Sequence, residues 1–152
     1  MVWTKVRVND GGVSRVLSRL LLTDTKRRSM LDQLGRQAVE QTQFRFIQQK
    51  SPTGVPWKPS KRALKNPSKP TLLDSLKLLN SIEYAISGDG FELGSDLPYA
   101  ATMNFGAKKG QFGAMRNGTP IPWGDIVPRQ FLGVSAEHRV KMTDVINKFL
   151  RS

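Results

Sequence analysis

The sequence predicts an α+β fold: a small antiparallel sheet packed by a long helix, with extended Pro-rich and Gly-rich loops. Three observations lead there. Apolar residues alternate over 2–8 and 82–93, the period of a half-buried strand. A 3.6-residue period runs unbroken through 24–49, with no proline. Two stretches, 51–70 and 106–119, carry five prolines and four glycines respectively and no periodicity. At 152 residues the chain suits one domain with a core of its own.

The elements follow in order. Val2, Thr4, Val6 and Val8 share one face of a strand, opposite Trp3, Lys5 and Arg7. Asn9-Asp10-Gly11-Gly12 is a turn. Val13, Val16, Leu17, Leu20 and Leu21 then give the stripe of a short amphipathic helix. Thr23-Asp24-Thr25 offers a new N-cap, and a helix over about 24–49 would span roughly 40 Å. Leu31, Leu34, Ala38, Thr42 and Phe46 make its core stripe, and Gln33, Arg36, Gln37 and Glu40 its wet face. Phe44 and Ile47 project onto that wet face. Either the helix ends early or a second subunit covers them.

Residues 51–70 read as an extended loop, tied down by Trp57, whose ring normally docks. Thr71 with Asp74 resembles a capping box for a ten-residue helix striped by Leu72, Leu73, Leu76 and Leu79. Ile82, Tyr84 and Ile86, then Phe91 and Leu93, form a hairpin about Gly88-Asp89-Gly90. Residues 98–104 suggest a short helix stopped at Gly106, and 106–119 a mobile loop. Pro120–Trp123 and Val127–Gly133 read as extended segments, the latter a candidate third component of the sheet. Ser135 can cap a last helix whose inner side carries Met142, Val145, Ile146 and Phe149, with His138 at its wet end.

Charge is unevenly placed. Residues 1–70 hold 15 Lys/Arg and four Asp/Glu, while 71–152 hold nine and eight. A basic half implies an acidic partner: nucleic acid, an anionic membrane or an acidic protein face; the alternative is a solvated surface. Lys58, Lys61, Arg62, Lys65 and Lys69 beside Trp57 resemble a phosphate-tracking arm with one stacking ring, and a basic nucleic-acid-binding protein is the rival reading. No helix-turn-helix, finger or RNA-binding signature accompanies them.

Catalytic and metal chemistry find little support. There is no cysteine and one histidine, so thiol catalysis, zinc ribbons and any site with two imidazoles are excluded. His138 with Glu137 or Asp144 could form an acid–base pair, but the better reading is a histidine at the end of a packing stripe. The acidic residues after position 70 are scattered singly. The glycines of 106–113 lack the Gly-Lys-Ser/Thr ending of a phosphate loop. The expectation is a non-enzymatic protein without cofactor or metal. No apolar run approaches the ~20 residues of a membrane helix, and no signal-peptide core is present, so a soluble, cytoplasmic protein without a membrane partner is expected.

Three local patterns and a late signature, taken in order, resemble one family. Arg45-Phe46 followed by Ser51-Pro52-Thr53-Gly54-Val55-Pro56-Trp57-Lys58-Pro59 is similar to the arginine-phenylalanine, then proline, glycine, tryptophan segment of the phage virion morphogenesis family. Leu73 and Ser75-Leu76 into Leu79-Asn80-Ser81-Ile82 resembles its leucine-x-x-serine-isoleucine stretch. Leu93-Gly94-Ser95, Tyr99-Ala100 and Asn104-Phe105-Gly106 match its strand, tyrosine-alanine and glycine positions. Pro128-Arg129-Gln130-Phe131-Leu132-Gly133 resembles its late proline-x-arginine-x-phenylalanine-leucine-glycine signature, here separated from Pro120-Ile121-Pro122 by Trp123–Val127.

The resemblance, over about 24–150, implies a tail-completion or neck protein of tailed phages, Mu-like ones included. It implies a small α+β protein that assembles in the host cytoplasm into the virion as a ring, of six copies by family precedent, and contacts adjoining neck and tail proteins. Gly54 would supply a turn, Trp57 would anchor the long loop, and Tyr99 would pack the short helix on the sheet. Phe131 would fill core, while Arg129 would present a fork of donors to a carboxylate of this or the next subunit. The basic loop 58–69 would meet acidic faces of neighbouring rings or, transiently, DNA.

Overall fold

The computed structural model describes residues 4–7 (by backbone pairing alone), 23–88 and 90–151. The amphipathic stretch 13–21 and the ends of the first strand lie outside them. The elements are β1 (Thr4–Arg7), α1 (Asp24–Gln48), α2 (Lys61–Lys65), α3 (Lys77–Asn80), β2 (Ile82–Ser87), β3 (Gly90–Ser95), α4 (Ala100–Phe105) and α5 (Ala136–Arg151). The sheet is antiparallel with order β1-β3-β2, so the class is α+β as the sequence predicts.

Thr23 starts α1 by accepting the Lys26 N–H on its hydroxyl, and Gln49 ends it in the left-handed region at φ 55°. All five residues of the expected stripe are buried, joined by Met30, Gly35 and Arg45. The helix crosses the sheet on the face carrying Ile82, Tyr84 and Ile86, which the register places opposite Ser95, Leu93 and Phe91. Its N-terminal half, through Met30, Leu31 and Leu34, also packs Val145, Met142, Ile146 and Phe149 of α5. Its C-terminal half closes a second cluster with Trp57, Leu78, Ile82, Leu93, Ala100, Phe131 and Leu132.

Four expectations are corrected. Residues 51–70 are not wholly extended: Ser60 caps α2, accepting the Ala63 N–H. The ten-residue helix after Thr71 shrinks to the four residues of α3, because Leu72 (φ 64°) and Leu76 (φ 59°) are left-handed. Its intended caps are engaged elsewhere: Thr71 Oγ1 accepts the Ser60 N–H, and Asp74 pairs with Lys69 at 3.1 Å. Residues 106–119 are not a free loop but one side of a ribbon, tied by the Ala107–Ile126 and Ala114–Pro120 bridges. The segment 128–133 joins no sheet; side chains hold it instead.

Gly35 explains how helix and sheet approach so closely. A Cβ there would clash with the Tyr84 ring, whose hydroxyl donates to Asp32 one turn earlier. Ordinarily Gly→Ala inside a helix gains about 1 kcal/mol. Here overpacking costs typically 1–3 kcal/mol. Gly35→Ala is therefore expected to lower the unfolding free energy by up to about 2 kcal/mol in urea melts, and to raise it by about 1 kcal/mol when added to Tyr84→Ala.

Candidate functional site

The densest set of signature residues lies where α1 ends. After Gln49 the chain reverses: Ser51 N–H donates to Val55 O, Gly54 N–H to Ser51 O, and Gly54 takes φ 84°. Trp57 is thereby returned onto the helix it has just left. Its ring meets Phe46 edge-on at 5.5 Å, and its indole N–H donates to Gln130 O at 2.9 Å. Phe131, fully buried, lies 5.2 Å from Phe46 on the other side. Trp57 and Phe131 both pack on Phe46 as one anchor, and Gly54 lies in the exposed turn that leads back to Trp57.

Two polar side chains fix that anchor; both lie in the segments that resemble the family, but neither was given a role from sequence. Arg45 Nη1 donates to Phe131 O at 2.9 Å and Gly133 O at 2.7 Å. Asn104 Oδ1 accepts the N–H groups of both Phe131 and Leu132 at 3.0 Å. The signal for Arg45 was its place beside Phe46 and three residues after Thr42, on the buried side of α1. A cation there needs fixed acceptors. Burial pushes the Arg45 pKa down to about 10, so it stays charged at neutral pH.

Arg129 is half-buried and donates from Nε to Lys58 O at 2.8 Å, tying the late segment to the start of the basic loop. Desolvation lowers its pKa from the usual value. Tyr99 stands 40% exposed at the N-terminus of α4, and the neighbouring Ala100 is the residue that enters the core.

The five basic residues separate into two groups. Arg62 donates to Lys69 O and Pro70 O at 2.8 and 3.0 Å, and Lys69 donates to Asp74 at 3.1 Å. The Lys69 ammonium, then the Arg62 guanidinium, hold the Asp74 carboxyl below the usual range. These two cations staple the loop. Lys58, Lys61 and Lys65 are exposed, and among the described residues no hydrogen bond or ion pair engages their side chains. On α2, Lys61 and Lys65 stand one turn apart on the same face and repel each other.

Phe44 and Ile47 are 49% and 67% exposed, with exposed Glu40 on the same face of α1. No metal-holding group of three His, Asp or Glu occurs among the described residues, and no described helix is long and apolar enough to cross a membrane.

His138 is not at a wet end. It is 1% exposed, and neither ring nitrogen has a hydrogen-bond partner. Ser135 accepts its N–H, so the residue sits in the first turn of α5 and turns inward. Glu137 is instead engaged with Lys141 at 3.1 Å, on the outer face. No acid–base pair forms.

Residues 8–151 match the phage virion morphogenesis family. The chain belongs to that family. No curated protein and no solved structure matches it. The match spans the anchor, the basic loop and both packing clusters, and gives this family member a structural or assembly role in a phage virion.

For this virion protein, burial has a pH consequence. Desolvation, then the Arg45 and Lys141 charges, lower the His138 pKa from 6.5 to about 4. The unfolded chain then takes up the proton first, so stability is complete above pH 6.5 and falls as pH drops towards 4. The full difference is about 3 kcal/mol. Urea melts between pH 7 and 4.5 should lose about 2–3 kcal/mol on this account. His138→Leu should flatten that part of the curve; an unchanged slope would place the effect elsewhere.

Proposed function

We propose that this protein is a structural component of the phage neck or tail, forming a homo-oligomeric ring that completes the tail and joins it to the head. Beyond family membership, the observation that carries the reading is the pair Phe44 and Ile47. They stand in water on a helix whose other side is locked into the core. A rigid helix cannot rotate them inward, so a partner surface is the way to cover them. Six copies is the number the family resemblance implies. No enzymatic step is assigned, and no metal or cofactor is needed.

The basic loop then serves as a contact to acidic faces of adjoining neck and tail proteins. Each phosphate contact adds salt-dependent affinity, so a ring that gripped DNA would hinder its passage. Contacts to protein carboxylates would set orientation and partner choice. The competing reading, a nucleic-acid-binding protein, is favoured by the unpaired state of Lys58, Lys61 and Lys65.

Two outcomes test this. A reconstruction of the virion is expected to show symmetric copies of the chain at the neck or tail end; a virion without them overturns the ring. Changing Lys58, Lys61 and Lys65 together to Gln should reduce tailed particles at least tenfold with the fold intact. Normal tail joining with lost DNA retention by the isolated protein would instead favour the nucleic-acid reading. Arg62→Gln should act differently, lowering the melting temperature by unhooking the loop from Lys69 and Pro70.

A further inference from the structure

Residues 107–126 form a ribbon with no core beneath it. Its two sides are joined by Ala107 N–H to Ile126 O (3.0 Å), Gly110 N–H to Pro122 O (2.9 Å), Phe112 N–H to Ile121 O (2.8 Å) and Met115 N–H to Thr119 O (2.8 Å). Ala107 is buried at the base, and every residue from 111 to 118 is exposed. Isolated two-stranded ribbons are marginal in water. This one nevertheless displays Phe112, Met115 and Trp123 at 55%, 52% and 80% exposure. Such a ribbon is suited to docking on something else.

The same chain carries a site that fits it. Phe44 and Ile47 are apolar, outward-facing and set on a rigid helix, and Glu40 lies one turn before Phe44 with no ion pair among the described residues. The ribbon is cationic at its flanks: among the described residues Lys109 and Arg116 have no ion pair, and the ribbon's single acid, Asp125, already accepts the Lys109 N–H. Apolar side chains can therefore meet apolar ones while Arg116 or Lys109 meets Glu40. The five large side chains together still expose roughly 600 Å².

We propose that the 107–126 ribbon of one copy lies across the outer face of α1 of the next copy and covers Phe44 and Ile47. This rests on the ring reading and supplies its contact. Ribbon and helix face are different surfaces, so the contact is heterologous: it closes into a ring or runs on as a filament. Each copy gives one contact and receives one, so each neighbouring pair shares about 600 Å² from these five side chains, roughly half the lower end of the standard interface size of about 1,200–2,000 Å², a core that flanking backbone and charged groups extend. A different virion protein seated on the ribbon would leave Phe44 and Ile47 still needing a cover.

The absence of cysteine makes the test clean. Ile47→Cys and Met115→Cys, both at exposed positions, are introduced singly and together, and assembled particles are treated with a short bis-maleimide. Melting temperatures near the parent's establish that each variant folds. The double variant should yield a ladder of multimers up to the full ring, while neither single variant passes beyond monomer. Dimers from Met115→Cys alone would mean that ribbons pair with each other and would overturn the proposal. Monomer alone from the double variant would also overturn it. Counting copies at the neck by reconstruction separates the two failures: a ring without a ladder removes only the ribbon contact, and no ring removes both. As a second measurement, Glu40→Lys should lower particle yield several-fold and Arg116→Glu/Lys109→Glu should restore it; no rescue argues against the assigned pairing.

Discussion

The fold depends on one buried cation. Arg45 is 5% exposed, pairs with no carboxylate among the described residues, and is held by the carbonyls of Phe131 and Gly133. Those acceptors belong to a segment that forms no strand and no helix, so backbone ladders cannot hold it in place. The guanidinium does so instead, assisted by Asn104 from α4 and the Trp57 indole from the returning loop. Four separate parts of the chain thus meet at one point near the end of α1. Breaking a buried, hydrogen-bonded charge leaves its partners unsatisfied and costs several kcal/mol. That is why residues 128–133 need no sheet.

The sequence was most legible where periodicity alone decides. The stripe 31, 34, 38, 42 and 46 is buried as read, and the hairpin keeps its inward set at Ile82, Tyr84, Ile86 and Leu93. It was least legible where two local signals compete for one side chain. Thr71 and Asp74 look like a cap for the leucines that follow, yet the loop before them takes both. Leu72 and Leu76 are then forced left-handed, a conformation costing roughly 1–2 kcal/mol for such residues. Nothing in the spacing of four leucines announces that loss. The ribbon was equally hidden, since its cross-strand bonds join residues without alternating polarity.

Of the four anchors the resemblance implied, Trp57 and Phe131 pack on Phe46 and Gly54 takes a left-handed turn, whereas Tyr99 stands 40% exposed. The roles of Arg45 and Asn104 were not legible, since they depend on carbonyl and amide groups 86 and 27 residues away in sequence. Charge was readable as a total and misleading as a location. Two of five cations in the basic loop face inward to its own backbone and to Asp74, which converts a run of like charges into three outward lysines on a stapled frame.

This division between locked and open surface bears on how such a protein can work. The buried side of α1 is fixed by rings, by Arg45 and by close contact at Gly35, so its outer side is fixed equally. A surface presented that rigidly loses little conformational entropy when a partner covers it. The ribbon differs: its backbone hydrogen bonds run across its own two sides, and Phe112, Met115 and Trp123 stand half or more exposed. In the proposed contact a rigid helix face would receive a segment held by its own ladder, and the two surfaces reside on separate faces of the same 152 residues.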